Sequence, residues 1–186
     1  LRQPLELSIN KFGHAQHDLD PVFDAFSRDP KVADLAAELG FDHHVIMQSM
    51  YIFKQPHIGG EVVCHDDHSF LWTDPASCVG FWFAIEDATL ENGAMWGLPG
   101  GHKIGPKKRF KRVENEDGSL STAWEIYDSE PYPTEGLVPL EAPKGTLIVL
   151  HGLLPHLSGA NDSDKSRHAY TLHAVDRRAT WPADNW

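Results

Sequence analysis

With 186 residues, of which 41% are hydrophobic and 23% charged, the chain is long enough for one domain with a sizeable core and too short for two comfortable ones. Its formal net charge of −11 argues against broad binding to nucleic acid or anionic membranes, and no apolar run approaches the roughly 18 residues of a membrane-spanning helix. Two cysteines, Cys64 and Cys78, are too few for a disulfide-stabilised secreted scaffold, so we expect reduced thiols and a cytoplasmic location.

Two helices are predicted before residue 40. An Asp-Pro pair at residues 29–30 is typical of a helix N-cap followed by proline at the first helical position. The segment KVADLAAEL behind it places apolar residues at helical spacing, and Gly40 is a fitting stop. A second Asp-Pro pair, at residues 20–21, predicts a shorter helix over VFDAFSRD. We therefore expect helices within about residues 17–40.

After these helices the pattern changes to short apolar segments separated by glycine and proline turns, which is typical of β-structure. The predicted strands cover residues 45–53, 61–64, 79–85, 94–98, 146–151 and 169–175. Several short strands that follow leading helices favour a β-sandwich or barrel with the helices packed on one face.

The stretch 106–143 lacks the regular pattern of the segments around it. It carries the basic run KKRFKR at residues 107–112, followed by the turn-rich segments ENEDGS and PYPTEG. A connection this long in a compact domain is usually functional or mobile. Two interpretations stay open: an irregular lid or substrate-facing insertion, or a solvated excursion without a role.

The motif His65-Asp66-Asp67 follows the predicted strand EVVC. Side chains two positions apart share one face of a strand, so His65 and Asp67 would point the same way. Asp66 and His68 would point to the other face. Asp66 would then face solvent or contact the ligand side chains without binding the metal itself. We therefore favour Asp67 as a metal ligand beside His65.

A second histidine from far downstream would complete a set of two imidazoles and one carboxylate. That set binds Fe(II) on one face and leaves the opposite positions open for a cosubstrate and dioxygen. Two candidates compete: His151 ends the predicted strand TLIVLH, and His156 lies in the turn after it. We favour His156, because Arg167 follows it by eleven residues and could hold a carboxylate through two hydrogen bonds.

The same residues allow other interpretations. Two histidines and a carboxylate can also hold Zn(II) for hydrolysis. In a third interpretation the histidines are ordinary hydrogen-bonded side chains of a β-sandwich without a metal. Arg167 favours a keto-acid cosubstrate over both.

Six segments carry a resemblance to a known family: INKFGHA, QSMYIFKQPHIGGEV, HDDHSFLWTDP, FWFAIEDATLENGAMWGLPGGH, GTLIVLHGLLPH and SRHAYTLH. In this order they resemble the phytanoyl-CoA dioxygenase family over almost the whole chain, with residues 106–143 matched worst. The resemblance implies a mainly β fold with flanking helices, built on a double-stranded β-helix core of the jelly-roll, cupin-like type. It also implies one domain over residues 1–186, with the jelly-roll core at about 45–175.

The resemblance also assigns roles to individual residues beyond the iron ligands His65, Asp67 and His156. It implies that Arg167 binds the distal carboxylate of 2-oxoglutarate, with Ser158 beside it. Three further residues fall where relatives line the cosubstrate pocket: Lys11, Met50 and Trp82. Each of the three also has an ordinary alternative, respectively a surface lysine, a core gap-filler and strand packing.

From the resemblance we expect an Fe(II)- and 2-oxoglutarate-dependent dioxygenase that uses O2, with ascorbate in support. It would release succinate and hydroxylate or otherwise oxidise a C–H bond of a small organic substrate. We expect a monomer with no nucleic-acid or membrane partner. The basic run at residues 107–112 is a candidate for holding substrate phosphates, or any other anion. The alternatives are a jelly-roll metalloprotein with Zn-type isomerase or hydrolase chemistry, and a catalytically silent binding module.

Overall fold

The computed structural model describes residues 4–186, and its α-helices lie between the first two strands of the chain. The α-helices are α1 (Gln16–Leu19), α2 (Pro21–Ser27) and α3 (Pro30–Glu38), and short 3-10 turns cover Leu5–Leu7 and Gly101–Lys103. The Asp20 carboxylate accepts a hydrogen bond from the Val22 N–H, and that of Asp29 accepts one from the Lys31 N–H, both at 2.9 Å. The two predicted caps are therefore confirmed.

The strands account for most of the remaining regular structure. They are β1 (Lys11–His14), β2 (His44–Ile52), β3 (Val62–His65), β4 (Val79–Ala84), β5 (Met95–Gly97), β6 (Lys108–Glu114), β7 (Leu120–Ile126), β8 (Val138–Leu140), β9 (Leu147–His151), β10 (His156–Ser158) and β11 (Ala169–Asp176). All six strands predicted from the sequence are present, with bounds that differ by at most one residue.

Two antiparallel sheets form the core of the fold. The five-stranded sheet has the order β1-β2-β11-β4-β9, and the four-stranded sheet has the order β3-β10-β5-β8. From β2 to β5 and from β8 to β11, each strand lies in the sheet opposite to that of the strand before it. This connectivity is that of a double-stranded β-helix, so the predicted jelly-roll fold is confirmed.

The segment 106–143 was expected to be irregular, and that expectation is wrong. Strands β6 and β7 form a regular antiparallel hairpin, with Gly118 in its turn at φ +79°, and β8 joins the four-stranded sheet. The charged composition hid the strands, because the charges are satisfied across the hairpin: Lys111 pairs with Glu125 at 3.1 Å. The Lys108 ammonium lies 4.1 Å from the centre of the Trp124 ring.

The five-stranded sheet buries different side chains on its two faces. Tyr170 and Leu172 pack with Phe81 against the helices, where Val32 and Ala36 of α3 meet them. The residues between them on β11 face the space between the two sheets. There, Trp82, Met95 and Leu150 form a second apolar cluster. Within residues 4–186, no helix is both long and apolar enough to cross a membrane.

Substitution of Leu172 by alanine tests this packing, because its side chain is fully buried between sheet and helices. We expect the free energy of unfolding to fall by about 2–5 kcal/mol in urea denaturation. The control is Leu120→Ala on β7, a side chain that is 66% exposed, and we expect it to cost less than about 0.5 kcal/mol. Equal losses in the two variants would contradict the packing described here.

Candidate active site

The structure brings His65, Asp67 and His156 together. His65 ends β3 and His156 begins β10, and the two residues lie opposite each other in the antiparallel register. The Asp67 Oδ1 atom lies 3.9 Å from His65 Nε2 and 3.8 Å from His156 Nε2. The three potential ligand atoms all lie within 4.8 Å of one another, so a single ion could contact all three. Their role as ligands stays a prediction.

The place of Asp67 has a different cause from the one that the sequence suggested. Strand β3 ends at His65, so Asp67 lies in the bend after the strand. The bend is held by hydrogen bonds from the N–H groups of Phe70 and Leu71 to the Asp67 carbonyl, each at 3.0 Å. The turn therefore directs the carboxylate toward the two imidazoles.

Backbone carbonyls determine which nitrogen of each ligand histidine carries the proton. His65 Nδ1 lies 2.8 Å from the Val63 carbonyl oxygen, and His156 Nδ1 lies 2.9 Å from that of Leu154. Because a carbonyl only accepts, both Nδ1 atoms must donate, which leaves the Nε2 lone pairs facing Asp67. Burial, followed by repulsion from His156, lowers the pKa of His65 and favours the neutral form that binds metals.

His173 on β11 completes the surroundings of Asp67 and was missed by the sequence analysis. Its Nε2 lies 3.4 Å from Asp67 Oδ2, although that oxygen has no hydrogen-bond partner among the described residues. A Cβ on Gly80 would lie 3.1 Å from the same oxygen, so glycine leaves room for the carboxylate. The sequence does offer an indication of His173. It lies on the predicted strand 169–175, an even number of residues after Arg167, and side chains at even spacing share one face of a strand.

The charge of Asp67 is stabilised by the histidines around it. Burial alone would raise its pKa, but His173, His156 and His65 outweigh burial and hold the pKa well below the usual range. Two imidazoles and one ionised carboxylate with a buried, unsatisfied oxygen form a donor set that fits a divalent transition metal.

The neighbouring polar residues have structural partners instead. Asp66 is buried, not facing solvent, and accepts hydrogen bonds from the Ser69 N–H at 2.7 Å and the Tyr132 hydroxyl at 2.6 Å. His68 is buried against the Trp72 ring, with ring centres 4.4 Å apart. His151 is exposed, and its Nδ1 accepts from the Leu153 N–H at 3.0 Å. None of the three belongs to the cluster of potential ligands.

A cavity of about 400 Å³ extends from this cluster into the space between the sheets. All five side chains that the resemblance placed in the cosubstrate pocket line it, namely Lys11, Met50, Trp82, Ser158 and Arg167. Lys11 lies on the exposed edge strand β1, and the other four lie on the core strands or their connections. The structure therefore gathers these residues around one space.

Arg167 is a buried cation without an anionic partner in the described residues. Its side chain is 2% exposed, and its Nε has no hydrogen-bond partner there. The guanidinium carbon lies 5.4 Å from the centre of the Trp82 ring. Burial lowers the pKa of Arg167 to about 10, so it is still charged at neutral pH. A buried cation in this state favours an anionic ligand in the cavity.

The basic run at residues 107–112 is largely occupied by contacts within the protein. Its members pair with acidic side chains as Lys107–Asp128, Arg109–Asp184 and Lys111–Glu125, and Arg112 donates to the Ala183 carbonyl. The first and third pairs lie within or beside the hairpin, and the contacts with Asp184 and Ala183 fasten it to the C-terminal segment. They leave little of the run available for the phosphates that the sequence suggested.

Comparison with known proteins agrees with the resemblance seen in the sequence. The family model described as phytanoyl-CoA dioxygenase (PhyH) matches residues 1–169. "Phytanoyl-CoA dioxygenase" of Arabidopsis thaliana is 50% identical over 190 residues, which cover 100% of this chain and 64% of the relative. "Phytanoyl-CoA dioxygenase domain-containing protein 1" of Bos taurus is 47% identical over 186 residues, covering 98% and 63%. The chain thus spans less than two thirds of the length of these relatives.

Solved structures share the fold at lower identity. The alpha-ketoglutarate-dependent carbocyclase SnoK from nogalamycin biosynthesis aligns with a TM-score of 0.73 and 21% identity, over 92% of this chain and 65% of SnoK. EctD from S. alaskensis, solved with 2-oxoglutarate and 5-hydroxyectoine, aligns with a TM-score of 0.69 and 21% identity, over 90% and 56% of the two chains. At these identities the likeness supports the fold alone.

Paired substitutions can separate the two adjacent aspartates. We expect Asp67→Asn to weaken Mn(II) binding strongly. The loss should exceed the roughly 10–100-fold that is typical when a residue that hydrogen-bonds to a metal ligand is removed. Asp66→Asn should keep Mn(II) affinity but lower the free energy of unfolding by about 1–3 kcal/mol, because Tyr132 and Ser69 lose a charged partner. Calorimetric titration and urea denaturation provide the two measurements. Loss of metal in Asp66→Asn with retention in Asp67→Asn would reverse the assignment.

Proposed function

Because the chain belongs to the phytanoyl-CoA dioxygenase family, we propose that it is an Fe(II)- and 2-oxoglutarate-dependent dioxygenase. It converts 2-oxoglutarate and O2 to succinate and carbon dioxide while it hydroxylates or otherwise oxidises a C–H bond of a small organic substrate. One observation carries the proposal: a two-histidine, one-carboxylate cluster and the buried cation Arg167 line the same cavity.

The cluster would hold the metal through His65 Nε2, His156 Nε2 and the Asp67 carboxylate. The three groups would contact the ion from the β3–β10 side, and such a set of ligands leaves other positions free for a cosubstrate and dioxygen. Bound Fe(II) supplies the oxygen-activating chemistry, and the protein orients the reactants and shields its own side chains. The Nδ1 hydrogen bonds to backbone carbonyls hold both imidazoles in the orientation that binding requires.

Arg167 would bind the distal carboxylate of 2-oxoglutarate, since its planar guanidinium matches a carboxylate through two parallel hydrogen bonds. Ser158 would add a hydroxyl donor, and Trp82 stacks near the guanidinium. Met50 and Lys11 would complete the pocket, with Met50 as an apolar wall and Lys11 as a cation toward its open side.

The substrate would approach the open part of the cavity near β3. Val62 and Val63 line the cavity and are 44% and 69% exposed, so this part of its rim is apolar. A small molecule that places a C–H group against this rim fits the proposal. Binding of CoA phosphates by residues 107–112 has little support, because those side chains already have partners.

The reaction itself is tested by measuring succinate. Purified protein with Fe(II), ascorbate and 2-oxoglutarate should form succinate slowly without added substrate, and His65→Ala should abolish this activity. The control is His151→Ala, which removes an exposed histidine outside the ligand cluster and should leave the rate unchanged. Metal binding without any binding of 2-oxoglutarate would instead support Zn-type chemistry, and binding of neither would support a silent module.

The cosubstrate assignment is tested by Arg167→Gln, with Arg177→Gln as the control at an exposed position close in the chain. We expect Arg167→Gln to raise the dissociation constant of 2-oxoglutarate by about 10–100-fold, since hydrogen bonds to charged groups contribute about 1.5–3 kcal/mol. Calorimetry with Mn(II) under anaerobic conditions measures binding without turnover. An unchanged dissociation constant in Arg167→Gln would remove Arg167 from the cosubstrate site.

A further inference from the structure

Lys54 is a second buried cation near Arg167, and no motif in the sequence pointed to it. It follows the end of β2, and its side chain is 4% exposed. The ammonium donates hydrogen bonds to the Ser158 hydroxyl oxygen and to the Gly60 carbonyl, each at 2.9 Å. Among residues 4–186, no carboxylate lies within ion-pair distance of it. A buried lysine without a countercharge is costly, so its retention needs a reason.

The surrounding backbone is shaped to admit this side chain. A Cβ on Gly59 would lie 2.7 Å from Lys54 Cγ, and a Cβ on Gly93 would overlap Lys54 Cε. Lys54 itself has φ +30°, a conformation that residues other than glycine seldom adopt and that the surroundings must impose. The absence of side chains at Gly59 and Gly93 therefore leaves the room that the Lys54 side chain occupies.

The backbone of Lys54 also connects it to the proposed cosubstrate site. Its carbonyl oxygen accepts hydrogen bonds from the Arg167 N–H at 3.2 Å and from Asn161 Nδ2 at 2.9 Å. One residue thus contacts the main chain of Arg167 and the side chain of Ser158. A change at Lys54 would affect Arg167 and Ser158, which line the positively charged end of the cavity.

The direction of the Lys54–Ser158 hydrogen bond limits what the hydroxyl can do. An ammonium only donates, so the Ser158 oxygen must be the acceptor, and its own proton remains available. No acceptor for that proton is found among the described residues, and Ser158 lines the cavity. The Ser158 hydroxyl can therefore donate a hydrogen bond to a ligand in the cavity.

We propose that Lys54 is a positioning residue for the cosubstrate: it holds the Ser158 hydroxyl as a donor toward the distal carboxylate that Arg167 binds. The inference rests on the proposed function, because it assumes a dicarboxylate in the cavity. Lys54 also adds a second positive charge behind this end of the site, which favours a dicarboxylate over a monocarboxylate. Burial and the charge of Arg167 lower the pKa of Lys54 to about 8, so the cation still predominates at neutral pH.

The test compares Lys54→Met with Lys144→Met. Methionine keeps an unbranched chain that can follow the space beside Gly59 and Gly93, and Lys144 is an exposed lysine whose replacement changes the net charge equally. Binding of 2-oxoglutarate and of 2-oxobutyrate, which lacks the distal carboxylate, is measured calorimetrically with Mn(II). We expect Lys54→Met to weaken binding of 2-oxoglutarate by about tenfold, equivalent to about 1.4 kcal/mol. Binding of 2-oxobutyrate and Mn(II) should change less than about twofold, as should every value in Lys144→Met.

Equal weakening of both oxoacids in Lys54→Met would indicate a merely structural role and overturn the proposal. If the wild-type protein binds no 2-oxoglutarate, the proposed function fails first. If the wild-type protein binds 2-oxoglutarate more tightly than 2-oxobutyrate, and Lys54→Met discriminates between the two acids equally well, only the proposed role of Lys54 fails.

Ser158→Ala provides the second test, because Lys54 is proposed to act through this hydroxyl. The double variant Lys54→Met/Ser158→Ala should weaken 2-oxoglutarate binding by less than the sum of the two single losses in free energy, since part of the effect of Lys54 passes through the Ser158 hydroxyl. Additive losses would contradict the proposal. If Lys54→Met does not fold, the test rests on Ser158→Ala. Unchanged discrimination between the two oxoacids in this variant would exclude a hydrogen bond from the Ser158 hydroxyl to the distal carboxylate and so contradict the proposal.

Discussion

The antiparallel pairing of β3 with β10 is the constraint on which the candidate site depends. It places His65 opposite His156, although the two residues are far apart in the chain, and brings their ring centres within 4.3 Å. The hydrogen bonds of the sheet hold both backbones, and the Nδ1 contacts with carbonyls hold both rings. A metal at this position would meet ligands that are oriented before it arrives, which reduces the entropy lost on binding.

Strand β11 shows how the same fold serves stability and chemistry at once. Tyr170 and Leu172 pack against the helices, while Thr171 and His173 face the cavity. The hairpin of β6 and β7 adds a further support beside the site. Phe110 donates its N–H to the Ser69 carbonyl, and Trp124 packs on Phe70, close to the bend that carries Asp67. The Tyr132 hydroxyl, which follows the hairpin, reaches Asp66 in that bend.

Charge is distributed unevenly along the cavity. The carboxylate of Asp67 is surrounded by three imidazoles, and at the other end Arg167 and Lys54 are buried without acidic partners in the described part of the chain. Burying unpaired charges costs stability, and sites that bind charged ligands retain such groups for function. A bound divalent cation would compensate Asp67, and a ligand with a negative group at each end could then contact that cation and Arg167.

The sequence by itself determined the local features, because these depend on neighbouring residues. Asp20 and Asp29 cap their helices as predicted, the strand segments were recognisable from their apolar and β-branched residues, and the family resemblance pointed to a jelly roll. The pairing of strands distant in sequence was decided only by the tertiary structure. That pairing placed His173 beside Asp67 and put Lys54 behind Ser158. The structure also showed that a charged stretch forms the hairpin of β6 and β7, in which Lys111 and Glu125 compensate each other across the two strands. Polar residues of this kind look like surface residues in a sequence, because only their partners in space show that they are buried.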